Sequence, residues 1–118
     1  MTDSQAERFE PAIPDRVRRA VRAFGARLKA RYRDDFDEVR LFGSFARGEQ
    51  HDESDIDVLV LFTREGVDES AVFDDAAAVD VAEKVWISAL PMSRQRYRRM
   101  LDEEYGIALA IEEEGIRP

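Results

Sequence analysis

The chain has 118 residues, a formal net charge of −8, no cysteine and one histidine, His51. A chain this long buries roughly two-thirds of its unfolded surface, so one core without staples is expected and a second full domain does not fit. The inventory excludes a thiolate nucleophile, a disulfide framework and a Cys/His zinc site.

Residues 1–13 show no sustained period and contain Pro11, with Pro14 close behind, which predicts a loose arm followed by a helix with Pro14 in or just before its first turn. Residues 14–118 then form one domain. Val17, Val21, Phe24 and Leu28 recur at helical spacing with arginines on the opposite face. Asp34, Asp35 and Asp37 break that pattern, and Val39 to Phe42 reads as a short strand ending at Gly43. One helical turn is expected after Gly43-Ser44, then a polar loop from Gly48 to Ser54. Ile56 to Phe62 is apolar on both faces apart from Asp57, the pattern of a strand in the middle of a sheet.

After Arg64-Glu65-Gly66, Asp68 or Ser70 caps a helix to about Lys84, with Val72, Phe73, Ala76, Val79 and Val81 as its apolar positions and an acidic outer face. Val85 to Leu90 reads as a strand ended by Pro91, Ser93 caps a helix to about Tyr105, and a last helix spans Ile107 to Glu114. Strands alternating with helices predict an α+β sandwich, a mixed sheet covered by helices. No apolar run is longer than that of Val58 to Phe62, far short of the roughly 20 residues of a spanning helix, and the first residues lack the basic-then-apolar order of a signal peptide. A cytoplasmic protein with no membrane partner is expected.

Charge is unevenly placed. Arg16 to Arg33 and Arg94 to Arg99 are arginine-rich, and acid fills the rest. An acidic whole grips a duplex poorly, so these stripes read first as solvated helix faces, second as a protein interface, and not as a duplex-binding surface.

The chemistry lies in Gly43-Ser44-Phe45-Ala46-Arg47-Gly48 and, beyond the loop, Asp55-Ile56-Asp57. Asp55 and Asp57 are two apart at a strand start, so both carboxylates face one side with Cα atoms about 6 to 7 Å apart. Their repulsion is relieved by a cation or proton between them, and an oxygen-only donor pair suits Mg²⁺. Gly43-Ser44 lies between a strand end and a helix start, where free backbone N–H groups, close approach at glycine and a hydroxyl donor suit phosphate. If the two strands are neighbours, both sites open on one cleft and together describe a triphosphate with Mg²⁺.

The pattern Gly-Ser, ten residues, Asp-x-Asp, within Leu-Phe-Gly-Ser-Phe-Ala-Arg-Gly and Ser-Asp-Ile-Asp-Val-Leu-Val, resembles the signature of the minimal nucleotidyltransferases of the DNA polymerase beta-like superfamily. Its four fixed residues, at about 5 to 7% usage each, match by chance on the order of 10⁻³ for such a chain. The resemblance implies a nucleotidyltransferase-like fold and transfer of a nucleoside monophosphate, AMP from ATP or the equivalent from another NTP, to a hydroxyl on a macromolecule. It implies Gly43 and Ser44 on the β and γ phosphates, with Asp55 and Asp57 as catalytic carboxylates and Mg²⁺ ligands. It further implies pairing, as antitoxin, with a HEPN-type toxin.

Members of that group usually add a third carboxylate from a neighbouring strand, and Val85 to Leu90 contains none; Asp80 and Glu83 fall on the preceding helix. The alternative reading is therefore a non-catalytic nucleotide-binding or antitoxin module that acts by covering its partner. Acceptor, nucleobase and any homo-oligomer stay open. Arg47 is one turn beyond Ser44, equally suited to a phosphate and to an acid such as Glu49. His51, Asp52 and Glu53 read as solvated loop residues, Trp86 and the phenylalanines at 24, 42, 45, 62 and 73 mostly as core, and Glu112 to Glu114 as a solvated helix end.

Overall fold

The computed structural model describes residues 13–49 and 54–117. The elements are helix α1 (Asp15–Tyr32), strand β1 (Phe36–Phe42), the one-turn helix α2 (Ser44–Arg47), strand β2 (Ile56–Phe62), helix α3 (Ser70–Glu83), strand β3 (Ile87–Ser93), helix α4 (Arg94–Asp102) and helix α5 (Gly106–Glu114). The predicted arm lies outside the described residues except for Ile13, which packs against the core. Among the described residues no helix is long and apolar enough to cross a membrane.

Among the described residues the strands form a mixed sheet in the order β1-β2-β3. β1 runs antiparallel to β2 with Phe42 opposite Asp57, and β2 runs parallel to β3 with Asp57 opposite Ser88. β2 is central, and its apolar run is explained by burial on both sides. Val58, Val60 and Phe62 face α1 and α3, joining Val17, Val21, Phe24 and Leu28 of α1 and Val72, Ala76 and Val79 of α3. Leu59 and Leu61 face α4 and α5, against Tyr97, Ala108 and Ile111. The architecture is the expected α+β sandwich.

The bounds of three elements differ from the sequence reading. β1 begins at Phe36 rather than Val39, through a register shift between Phe36 and Glu38 that absorbs Asp37; a bulge admits a polar residue that strict alternation would reject. β3 runs from Ile87 through Pro91 to Ser93 instead of from Val85 to Leu90. In the described sheet β3 pairs with β2 alone, and an edge strand tolerates the missing proline N–H. Ser93 caps α4 as expected, its hydroxyl accepting from the Arg96 N–H at 3.0 Å, but that helix ends at Asp102.

α3 overturns the expected burial. Phe73 and Val81, read as core, are exposed, whereas Asp75, in a helix read as acidic outside, is buried. Arg31 Nε and Arg27 Nε of α1 donate to its carboxylate at 2.8 and 3.3 Å. A buried carboxylate is tolerated when paired and hydrogen-bonded. The local pattern could not show which face of α3 would meet arginines 44 and 48 residues earlier in the chain.

Candidate active site

The C-terminal end of β1 and the N-terminal ends of β2 and β3 meet at one end of the sheet. This brings the predicted site together. Gly43 follows Phe42, and Phe42 pairs with Asp57, so the assumed neighbourhood of the two motifs is the observed one. Gly43 has φ 77° and ψ −152°, a region essentially reserved for glycine. A side chain there would collide with the Asp57 carboxylate. Conformation and space thus independently demand glycine, and the glycine in turn seats Asp57 directly against the turn that opens α2.

α2 is a single turn whose first N–H groups have no partners within the helix itself. It closes through Arg47 N–H to the Gly43 carbonyl at 3.1 Å and Glu49 N–H to the Ser44 carbonyl at 2.8 Å. Phe45 and Ala46 anchor it in the interior. Arg47 pairs with Glu49 at 2.9 Å and with Glu114 of α5 at 3.0 Å, the acid-pairing alternative, and ties the turn to the opposite layer. Glu114 is therefore no solvated helix end. Glu112 and Glu113 are exposed as expected, and Glu112 also accepts from Arg40 at 3.1 Å and from the Tyr97 hydroxyl at 2.9 Å.

Asp55 is exposed and Asp57 half-buried. Burial raises the Asp57 carboxyl above its ordinary value, the Asp55 charge adds to that rise, and Arg47 opposes it. A carboxylate strained in this way favours a neutralising cation. Among the described residues no group of three His, Cys, Asp or Glu could hold a metal by itself. The pair nevertheless fits Mg²⁺, which is commonly held by one or two carboxylates together with substrate phosphates and water.

The register position nearest Asp57 on β3 belongs to Ser88, so the described strand offers no third carboxylate. Asp80, passed over in the sequence because it precedes the strand, is brought near: its carboxylate accepts from Ile87 N–H at 2.8 Å, and its carboxyl is raised by burial and further by the Asp55 charge. Trp86, expected in the core, is 72% exposed; its carbonyl accepts from Ile56 N–H at 2.7 Å, which fixes it beside the carboxylate strand. No local signal in the sequence distinguishes this tryptophan from a core residue. His51, Asp52 and Glu53 lie outside the described residues.

Residues 21–108 match the nucleotidyltransferase domain model, well over half the chain. This chain belongs to the nucleotidyltransferase domain family. A protein of Methanocaldococcus jannaschii, named as a candidate protein adenylyltransferase, is 32% identical over 84 residues, covering 71% of this chain and 81% of the relative. Among solved structures, a chain from a crystal structure of a toxin–antitoxin with AMP-PNP matches with a TM-score of 0.54 and 22% identity, covering 78% of this chain and 67% of that one. At that identity the structural match establishes the fold. In this chain the Gly43 turn and Asp57 of the Asp-x-Asp pair approach each other across β1 and β2.

Proposed function

We propose that this cytoplasmic domain, residues 14–118, transfers AMP from ATP to a hydroxyl on a protein acceptor, with Mg²⁺ held by Asp55 and Asp57. The close approach of the Asp57 carboxylate to the Gly43 turn supports this reading, because a turn suited to phosphate then lies beside a carboxylate pair suited to a cation. Gly43 gives the β and γ phosphates close access to the backbone, and the Ser44 hydroxyl donates to them. Asp55 and Asp57 would hold the cation. When bound, Mg²⁺ supplies neutralisation of the charge that develops on the transferring and leaving phosphates. The acceptor oxygen forms a bond to the α-phosphorus as the bond to the β-phosphate bridge breaks; pyrophosphate leaves and the hydroxyl proton passes to solvent. Positioning does most of this work.

The archaeal relative's name supports a protein acceptor, and the family resemblance makes a HEPN-type toxin the first acceptor to try. Incubation with α-labelled ATP, Mg²⁺ and host lysate tests the reading: wild type labels a macromolecule and Asp57→Asn does not. Ser88 opposite Asp57 favours a second reading, a partner-binding antitoxin without turnover. For that reading the complex forms equally well with Asp57→Asn and no label transfers from either protein.

A further inference from the structure

α3 is apolar on two sides. One side fills the core with Val72, Ala76 and Val79. On the other, Phe73, Ala77 and Val81 recur at four-residue intervals, with Phe73 53% and Val81 82% exposed, a second apolar stripe that the core does not cover. This outer stripe runs toward the sheet end that carries Asp55 and Asp57. It ends in a groove of about 430 Å³ lined by Ala77, Asp80, Val81, Lys84, Val85 and Trp86.

In-line displacement fixes the direction from which an acceptor must come. On the transfer reading, a phosphate turn at the end of β1 and carboxylates at the start of β2 would put the leaving pyrophosphate on the β1 side and the acceptor oxygen opposite it, toward the β3 edge of the sheet, which Trp86 immediately precedes. Charge defines the visitor further: Asp74 and Asp80 flank the stripe and Asp68 and Glu69 lie at its start, against Lys84 at the groove.

We propose that the acceptor docks on the outer face of α3 and beside Trp86, as a protein segment with a large apolar anchor flanked by basic residues. The proposal rests on the transfer reading above and adds the surface that delivers the hydroxyl.

The test follows α-label transfer into the acceptor of host lysate by wild type, Val81→Asp, Trp86→Ala and, on α1 beside the far β1 edge, Arg22→Glu. Mg-ATP affinity is measured for each by calorimetry. The two surface variants are expected to lose labelling by roughly tenfold or more, as for a lost interface anchor, to recover part of it at higher lysate concentration, and to bind Mg-ATP as wild type does. Unchanged labelling in both overturns the proposal. So does a parallel loss of Mg-ATP affinity, which would assign Trp86 to the nucleobase, and so does loss in Arg22→Glu with Val81→Asp intact. If wild type labels nothing at saturating Mg-ATP, the transfer reading itself fails and this surface fails with it.

Discussion

Gly43 is under two independent constraints, a backbone conformation closed to other residues and the Asp57 carboxylate in the space of its missing side chain. Gly43→Ala is accordingly expected to cost about 1–3 kcal/mol from the backbone alone and to displace Asp57, so that thermal melting falls and label transfer is lost together. Asp57 itself is held against its preference. A carboxyl raised in the folded state contributes stability below its unfolded value that is lost as pH rises through the folded one. Without a cation, Asp57→Asn should therefore be at least as stable as wild type at neutral pH, while added Mg²⁺ raises the melting temperature of wild type and leaves that of the variant unmoved. Tyr97 gives the alkaline counterpart: burial, then its hydrogen bond to Glu112, pushes its hydroxyl up to about 12. The stability it contributes is intact below the ordinary tyrosine value and is lost as pH climbs through about 12. Ultraviolet titration should show Tyr97 ionising last, and Tyr97→Phe should remove that late step.

At the scale of elements, the joint between α1 and α3 depends on Asp75. The Arg31 hydrogen bond is the main cause holding its carboxyl below the ordinary range. Both arginines are about half exposed, at 49% and 46%, so they return to water when the partner is removed. Asp75→Ala is expected to cost about 1.5–3 kcal/mol, the scale of charged hydrogen bonds, rather than the 3–5 kcal/mol of a stranded buried charge. Because the carboxyl is lowered, its contribution is present above the unfolded value and lost as pH falls through the folded one. Urea denaturation at neutral pH and in acid should show the gap between wild type and variant closing in acid. The same helix shows why amphipathic patterning succeeds for α1 and misleads for α3. α1 has one apolar stripe and one basic face; α3 has apolar residues on both sides, and only contacts from distant segments decide which side is inside.

At the scale of the molecule, the basic stripes are partly spent on the protein itself. Arg19 pairs with Glu83, Arg27 and Arg31 with Asp75, Arg94 with Asp37, and Arg99 with Glu65 at 2.8 Å. The arginines of α4 that suggested a partner surface are in part intramolecular ties, whereas large apolar residues are exposed on α3, at Trp86 and, as Tyr105, Ile107 and Leu109, at the start of α5. The exposed pairs among these, Arg19–Glu83 and Arg99–Glu65, contribute little each, so moderate salt should change stability only slightly through them. Glu112 and Glu114 join α5 to Arg40 and Arg47, which makes the C-terminal helix a brace for the Gly-Ser turn.

What the sequence determined by itself is what depends on short-range chemistry. The Gly-Ser turn, the doubly buried β2 and the one-sided α1 are each set by a few adjacent residues and the period of the element they occupy. The tertiary structure decided whatever depends on residues far apart in the chain. Pairing of β1 with β2 brings Gly43 onto Asp57, and parallel register with β3 sets Ser88 where another carboxylate could have stood. The same packing carries Asp80 into the field of Asp55, buries Asp75 and leaves Trp86 in water. A side chain's type limits the environments it accepts, but which one it meets depends on elements that its neighbours in sequence do not encode.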